Sequence, residues 1–194
     1  MDPDPSVHVP SDGELVQGCL HGDRRYQELL YSRYNRRMFG VCLRYARHRS
    51  EAMDLLQDGF VKVFQNLHRF RNEGALEGWI RRIMVNTAIS LCRQRAFKDE
   101  RLGMDHMPEG PIAPEAFDKL SEQDLLRLVQ GLPEGYRLVF NLYAIEGYDH
   151  AEIATLLGCG ESTSRSQLAK ARRHLQEKLE RISERTHERL ASDR

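Results

Sequence analysis

Three polar helix faces in this chain carry side chains whose types and spacing could do chemistry. From Glu161 to Leu175 one face presents Arg165, Ser166, Ala169, Lys170, Arg172 and Arg173, while Leu168, Ala171, Leu175 and Leu179 form an apolar stripe. Short polar and guanidinium groups near the start of a helix suit base edges, and Lys and Arg further along neutralise phosphates. From Trp79 on, Ile80, Ile83, Met84, Thr87, Ala88 and Leu91 fall on one stripe and Arg82, Asn86, Ser90 and Arg93 on another. Basic and amide groups in a row, beside an aromatic ring and a Gly-containing loop, can track a single strand and receive an unstacked base. Each face also has a plain alternative: a solvated helix surface, with Trp79 as a core residue. The third face, Asp54, Gln57, Asp58, Lys62 and Gln65, carries no functional claim by itself.

Catalytic chemistry finds no support. The sequence has no GxSxG elbow, no HExxH pair and no phosphate-cradling glycine loop, so no catalytic residue is expected. Cys19, Cys42, Cys92 and Cys159 lie far apart, with no CxxC pair and no paired Cys–His spacing. The expectation is no metal, no cofactor and four reduced thiols in a cytoplasmic protein, with Cys159 a small buried residue.

The elements that hold these faces read as helical throughout, without alternating β-branched runs or hairpin turns. Ser11 and Glu14 have capping-box spacing and open a first helix toward Leu20. Apolar spacing predicts helices over 26–47, from a Ser50 cap to Leu67, and over 76–95. Residues 99–120 hold Pro108, Pro111, Pro114, Gly103 and Gly110 and read as an extended linker. Helix resumes over 124–131, 136–146, 150–157 and from Glu161 to about Arg189. Asp149 and Glu152 repeat the capping spacing, Gly147 suits a left-handed stop, and Gly158-Cys-Gly160 makes a tight bend. A helix, a short turn with small residues and a second helix is the helix-turn-helix pattern of DNA-binding proteins.

The expected fold is all-α: a disordered stretch at 1–10, helical domains over 11–98 and 121–194, and a linker at 99–120. The 194 residues carry 29 basic and 29 acidic side chains, a net charge of zero that hides a strong segregation. Residues 21–98 hold 16 bases against 7 acids, and residues 99–135 hold 3 against 9. Separate units with separate partners follow. The acidic, Pro-bearing N-terminus is unlike a signal peptide, and no apolar run approaches the ~20 residues of a membrane span, so no membrane insertion is expected.

Together these segments resemble the extracytoplasmic-function (ECF) sigma factors of the bacterial RNA polymerase sigma-70 family. The resemblance is carried by Leu30-Tyr-Ser-Arg-Tyr34, Glu51-Ala-Met-Asp-Leu-Leu-Gln-Asp-Gly-Phe60, Phe70-Arg71 and Trp79-Ile-Arg-Arg-Ile-Met-Val-Asn86. It continues in Leu132-Pro-Glu-Gly-Tyr-Arg-Leu-Val-Phe140, Glu152-Ile-Ala, Leu157-Gly158, Thr163 and Arg165-Ser166, spanning about residues 14–180 in order.

The resemblance implies a sigma factor that binds core RNA polymerase and directs promoter-specific initiation. The surface around Asp54, Gln57, Asp58 and Lys62 would dock on the clamp helices of the largest polymerase subunit. Asn72, Gly74 and Leu76 of the loop, with Trp79, Arg82, Asn86, Ser90 and Arg93, would melt and read the minus-ten element of promoter DNA. Thr163, Arg165, Ser166, Ala169, Lys170 and Arg173 would enter the minus-thirty-five major groove. An anti-sigma factor is implied as a further partner, because family members are commonly held inactive by one. His150 stands where an aromatic often sits, and the Gly158–Gly160 turn lacks the family's common proline.

The linker length permits the two grips: 22 residues stretch to about 70 Å at ~3.3 Å each. Two helical turns of DNA span about the same distance at ~34–36 Å per turn. The competing reading is a stand-alone helix-turn-helix regulator whose N-terminal helices sense or dimerise. Such a regulator has no use for the polar face at Asp54–Phe64.

Overall fold

The computed structural model describes the backbone of residues 9–102 and 122–192 and the side chains of 9–95 and 124–182. Eight α-helices and no strand occur among the described residues: α1 (Asp12–Leu20), α2 (Arg24–Tyr45), α3 (Arg49–Asn66), α4 (Leu76–Leu102), α5 (Glu122–Gln130), α6 (Glu134–Phe140), α7 (His150–Leu157) and α8 (Glu161–Ser192). A 3-10 turn (Leu67–Arg69) follows α3, and α6 runs on into a π turn (Asn141–Ile145). The all-α reading therefore holds. Residues 103–120 of the expected linker lie outside the described residues, as do 1–8. Residues 99–102, expected in the linker, instead extend α4, because no helix breaker occurs before Gly103.

The chain forms two compact units, 1–42 with 52–87 and 43–51 with 88–194.

In the first unit α1 begins with the expected box: Glu14 N–H donates to Ser11 Oγ at 3.3 Å and Ser11 N–H to the Glu14 carboxylate at 2.7 Å. Leu15, Leu30, Met38, Phe60, Val63, Leu76, Ile80 and Met84 fill the core. Gly59 lets two helices close, since a Cβ there would stand 2.1 Å from the Met84 sulfur. Polar ties brace the outside. Tyr34 donates to Asp12 at 2.6 Å, Arg33 pairs with the same carboxylate at 2.9 Å and donates to Pro10 O at 2.6 Å. Burial, then the Asp12 hydrogen bond, pushes the Tyr34 phenol up from its ordinary range.

In the second unit α6, α7 and α8 enclose Leu132, Leu138, Leu142, Ile153, Leu168 and Ala171. Asp149 and Glu152 form the predicted box, at 2.8 and 2.9 Å, and Gly158 closes α7 in the left-handed conformation at φ 68°. Leu179, read as inward, is 37% exposed, while Lys178 turns in and donates to the Gly131 carbonyl at 2.7 Å, capping α5. Ser50 does not cap α3. The cap is His48, whose Nδ1 accepts from Glu51 N–H at 3.2 Å. Cys159 is half-buried rather than buried, and all four cysteines are free. No described helix is long and apolar enough to cross a membrane.

Candidate nucleic-acid interface

The loop between the 3-10 turn and α4 needs left-handed backbone at two positions, Asn72 (φ 58°) and Gly74 (φ 103°). Asn tolerates that region better than most residues and Gly at no cost, so Arg71-Asn-Glu-Gly can fold back sharply. The fold-back opens a pocket of about 370 Å³ lined by Arg69, Phe70, Arg71, Glu73, Ala75, Gly78, Trp79 and Arg82. Trp79 and Phe70 pack as a tilted aromatic pair, centroids 5.6 Å apart with 55° between the ring planes. Trp79 is half-buried, so it serves as the pocket's wall rather than as core. Three arginines against one glutamate make the rim basic.

The remaining members of that group separate by burial. Asn72, Gly74, Arg82, Asn86, Ser90 and Arg93 are exposed. Leu76 is 1% exposed, inside the core, because the first apolar residue of α4 anchors the helix. It positions the loop and cannot touch a ligand with its side chain. Sequence reading placed Arg69 in no functional group; the signal was a third arginine beside Phe70-Arg71.

On α3, Asp54, Gln57 and Asp58 share one exposed face. Lys62 is drawn aside: its Nζ donates to Thr87 Oγ1 at 3.2 Å, and Thr87 donates onward to Ile83 O at 2.8 Å. Sequence reading missed Met53 and Val61, which are 56% and 52% exposed and put apolar surface next to the carboxylates. A helix side that leaves two large apolar groups in water is suited to a partner.

On α8, Thr163, Arg165, Ser166, Ala169, Lys170 and Arg173 are all exposed, whereas Ser164 between them is 0% exposed. Arg165 pairs with Glu161 at 2.8 Å, and Ser166 donates to Thr163 O at 2.9 Å. Arg172 instead lies over the Tyr143 ring, 5.8 Å from its centroid. His150 stacks on the other partner of that contact: its ring is 4.7 Å from Tyr143 at 23°, with Nδ1 2.9 Å from Ser164 Oγ. His150 therefore takes an aromatic's packing role and also ties α7 to the start of α8.

No group of three or more His, Cys, Asp or Glu able to hold a metal occurs among the described residues. The arrangement offers a stacking pocket with a basic rim, a separate basic helix face and a mixed acidic–apolar face.

Comparison with known proteins gives a consistent result. The family profile for Sigma-70 region 2 matches residues 30–98, and that for Sigma-70, region 4 matches 122–175. The chain is 30% identical over 182 residues to the RNA polymerase sigma-H factor of Pseudomonas aeruginosa, covering 87% of this chain and 94% of that protein. It is 27% identical over 186 residues to the ECF RNA polymerase sigma-E factor of Haemophilus influenzae, covering 88% and 96%. Among solved structures it resembles in fold the sigma factor RpoE of Bartonella quintana, crystallised with the anti-sigma factor NepR: TM-score 0.52, 22% identity, 79% of this chain and 96% of that one.

Proposed function

The chain belongs to the sigma-70 family, as an extracytoplasmic-function sigma factor that directs transcription initiation, and on that premise we propose how its surfaces divide the work. The helical domains of 11–98 and 121–194 each hold one promoter element. The pocket at Trp79 takes a base flipped from the minus-ten element, with Asn72 and Gly74 shaping its lip and Arg69, Arg71 and Arg82 drawing in the strand. Asn86, Ser90 and Arg93 continue that contact along α4. Thr163, Arg165, Ser166, Ala169, Lys170 and Arg173 read and grip the minus-thirty-five major groove. Asp54, Gln57 and Asp58, with Met53 and Val61, dock on the clamp helices of the largest polymerase subunit, while Lys62 braces that helix.

The observation that carries this division is the pocket itself: basic, aromatic-walled, with left-handed backbone at its lip. A stand-alone regulator needs a groove-reading helix but no site for an unstacked base. The chain performs no catalysis and acts inside the cytoplasm as a polymerase subunit. An anti-sigma factor is proposed as its regulator, in keeping with the fold likeness to a sigma factor solved with one.

The test is initiation from a cognate promoter by purified core polymerase with and without the chain. Specific transcripts are expected only with it, and Asp54→Arg with Asp58→Arg is expected to lower core-polymerase affinity at least about tenfold while leaving the helix content unchanged. Tight operator binding by the chain alone, with no transcript in the presence of polymerase, would overturn the reading.

A further inference from the structure

Inside the first unit α3 meets α4 at Gly59 and Lys62, beside residues assigned above to the minus-ten strand. Gly59 is buried against Met84, where any Cβ would collide with the thioether sulfur. About one turn further along α3, Lys62 Nζ donates to Thr87 Oγ1 at 3.2 Å, and Thr87 donates to Ile83 O at 2.8 Å. Met84 and Thr87 are 1% and 5% exposed, while Arg82 and Asn86, interleaved with them, face solvent. The same stretch of α3 exposes Asp54, Gln57 and Asp58.

The glycine sets how close the two helices come, but an apolar contact alone lets α4 roll or slide by a fraction of a turn. The Lys62 bond restricts that freedom, because each of its groups has one role. Thr87 gives its single proton to the Ile83 carbonyl, so its oxygen accepts from Lys62, and the ammonium can only donate. A charged donor also makes the stronger kind of hydrogen bond. A threonine bonded to the carbonyl four residues back bends its helix locally. The turn so held, 83–87, contains Asn86 and begins just after Arg82. Lys62 follows Asp58 by four residues, a spacing at which a lysine ordinarily reaches for the aspartate or for water. Half-buried, it turns to α4 instead.

We propose that Lys62 is a positioning residue for promoter opening: through Thr87 it sets, relative to the polymerase-docking face of α3, the turn of α4 that presents Arg82 and Asn86 to the minus-ten strand. It touches neither polymerase nor DNA. The inference rests on the assignment of those two faces. It separates Lys62 from Asp54, Gln57 and Asp58, so that losing Lys62 spares docking and impairs opening.

The experiment uses the full chain with purified core polymerase and a cognate duplex promoter. Thr87→Val keeps the volume and the β-branch and removes the hydroxyl; Lys62→Met keeps the apolar stem and removes the ammonium. At saturating chain, well below Tm, each is expected to lower open complex read by permanganate about three- to tenfold, the worth of one hydrogen bond. Core-polymerase affinity is expected to stay within about twofold of the parent's. Thr87→Ser, which keeps the hydroxyl, recovers most of the opening. The double variant loses no more than the larger single loss, because both changes break the same bond. A fall in core affinity that matches the loss of opening overturns the inference, since Lys62 would then act in docking. Additive losses in the double variant overturn it too, as does a lowered Tm with undiminished opening, which would leave the bond merely structural. If one variant fails to fold, the other still decides through its split between docking and opening. A parent chain that docks on core yet opens no promoter defeats the face assignments themselves, and the inference with them.

Discussion

Replacing Trp79 with Ala removes a wall of the pocket proposed to take a minus-ten base. Trp79 is half-buried and packs on Phe70 at 5.6 Å, so the loss has two parts. The aromatic pair itself is worth about 0.5–1.5 kcal/mol of stability. Stacking a base on an aromatic side chain is worth about 1–3 kcal/mol, a factor of roughly 5 to 150 in binding. The first part acts on folding and lowers Tm. The second acts on the open complex. Permanganate footprinting of the melted strand on a duplex promoter is expected to show open complex reduced within that range, and Trp79→Phe to recover most of it. A template lacking the flipped base separates stacking from folding. On such a template the parent chain loses the same factor, and Trp79→Ala loses nothing further. Equal losses from Trp79→Ala on intact and base-deleted templates would refute the pocket assignment, because the ring and the base would then act independently.

Lys170→Ala is expected to weaken duplex binding by the holoenzyme uniformly across sequences and to reduce the salt slope by about 1, whereas Arg165→Ala should relax preference at one base pair of the minus-thirty-five element by about 1–3 kcal/mol; competition titrations over a set of single-base variants tell these apart. Asp149→Ala removes the side-chain acceptor of the α7 capping box, leaving Glu152 N–H without its cap while the residue-149 N–H can still donate to Glu152; it costs about 1 kcal/mol and lowers Tm by about 2–4 °C, read by circular dichroism. Glu134 is held below its ordinary value of 4.5, so its contribution to stability is present above that pH and is lost as pH falls through the depressed folded value. Acid titration of the melting temperature should therefore fall less steeply below pH 4.5 for Glu134→Gln than for the parent. Burial, with Glu134 beside it, pushes the Cys92 thiol up to about 12. Its stabilising protonation persists below pH 9 and is lost as pH rises through the folded value, and at pH 8 maleimide labelling of Cys92 should require unfolding.

The helices were legible because their signals are local. Ser11 with Glu14, Asp149 with Glu152, and a glycine at 158 act over three or four residues, and the structure forms each of these caps. Apolar spacing likewise placed Ile80, Met84 and Ala88 of α4 and Leu168 and Ala171 of α8 in the core, although Leu179 proved exposed. What escaped depends on three-dimensional neighbours. His48 caps α3 although imidazole is an uncommon cap, because Ser50 is already inside the helix and hydrogen-bonded to His48 itself. Leu76 sits in a loop-to-helix motif whose polar neighbours suggested contact, yet its apolar side chain goes where burial is most favourable. Lys62 carries a charge that pattern alone sends to solvent, and only Thr87, 25 residues away, accounts for its inward turn. No spacing rule links Glu134 to Arg47, 87 residues apart.

The charge distribution explains why these parts need a polymerase. A chain of zero net charge gains little from long-range attraction to a polyanion, and each reading face offers only a few cations. On α4 the exposed cations of the reading face are Arg82 and Arg93; on α8 they are Arg165, Lys170 and Arg173, of which Arg165 already faces Glu161. Phosphate contacts supply most sequence-independent affinity, so faces this lightly charged hold DNA weakly by themselves. Weak separate grips become strong only when joined at high effective concentration on one scaffold. On the proposed division of surfaces, the acidic–apolar face of Asp54, Gln57, Asp58, Met53 and Val61 would supply the attachment to that scaffold, and the same weakness would keep the free chain from occupying promoters unaided.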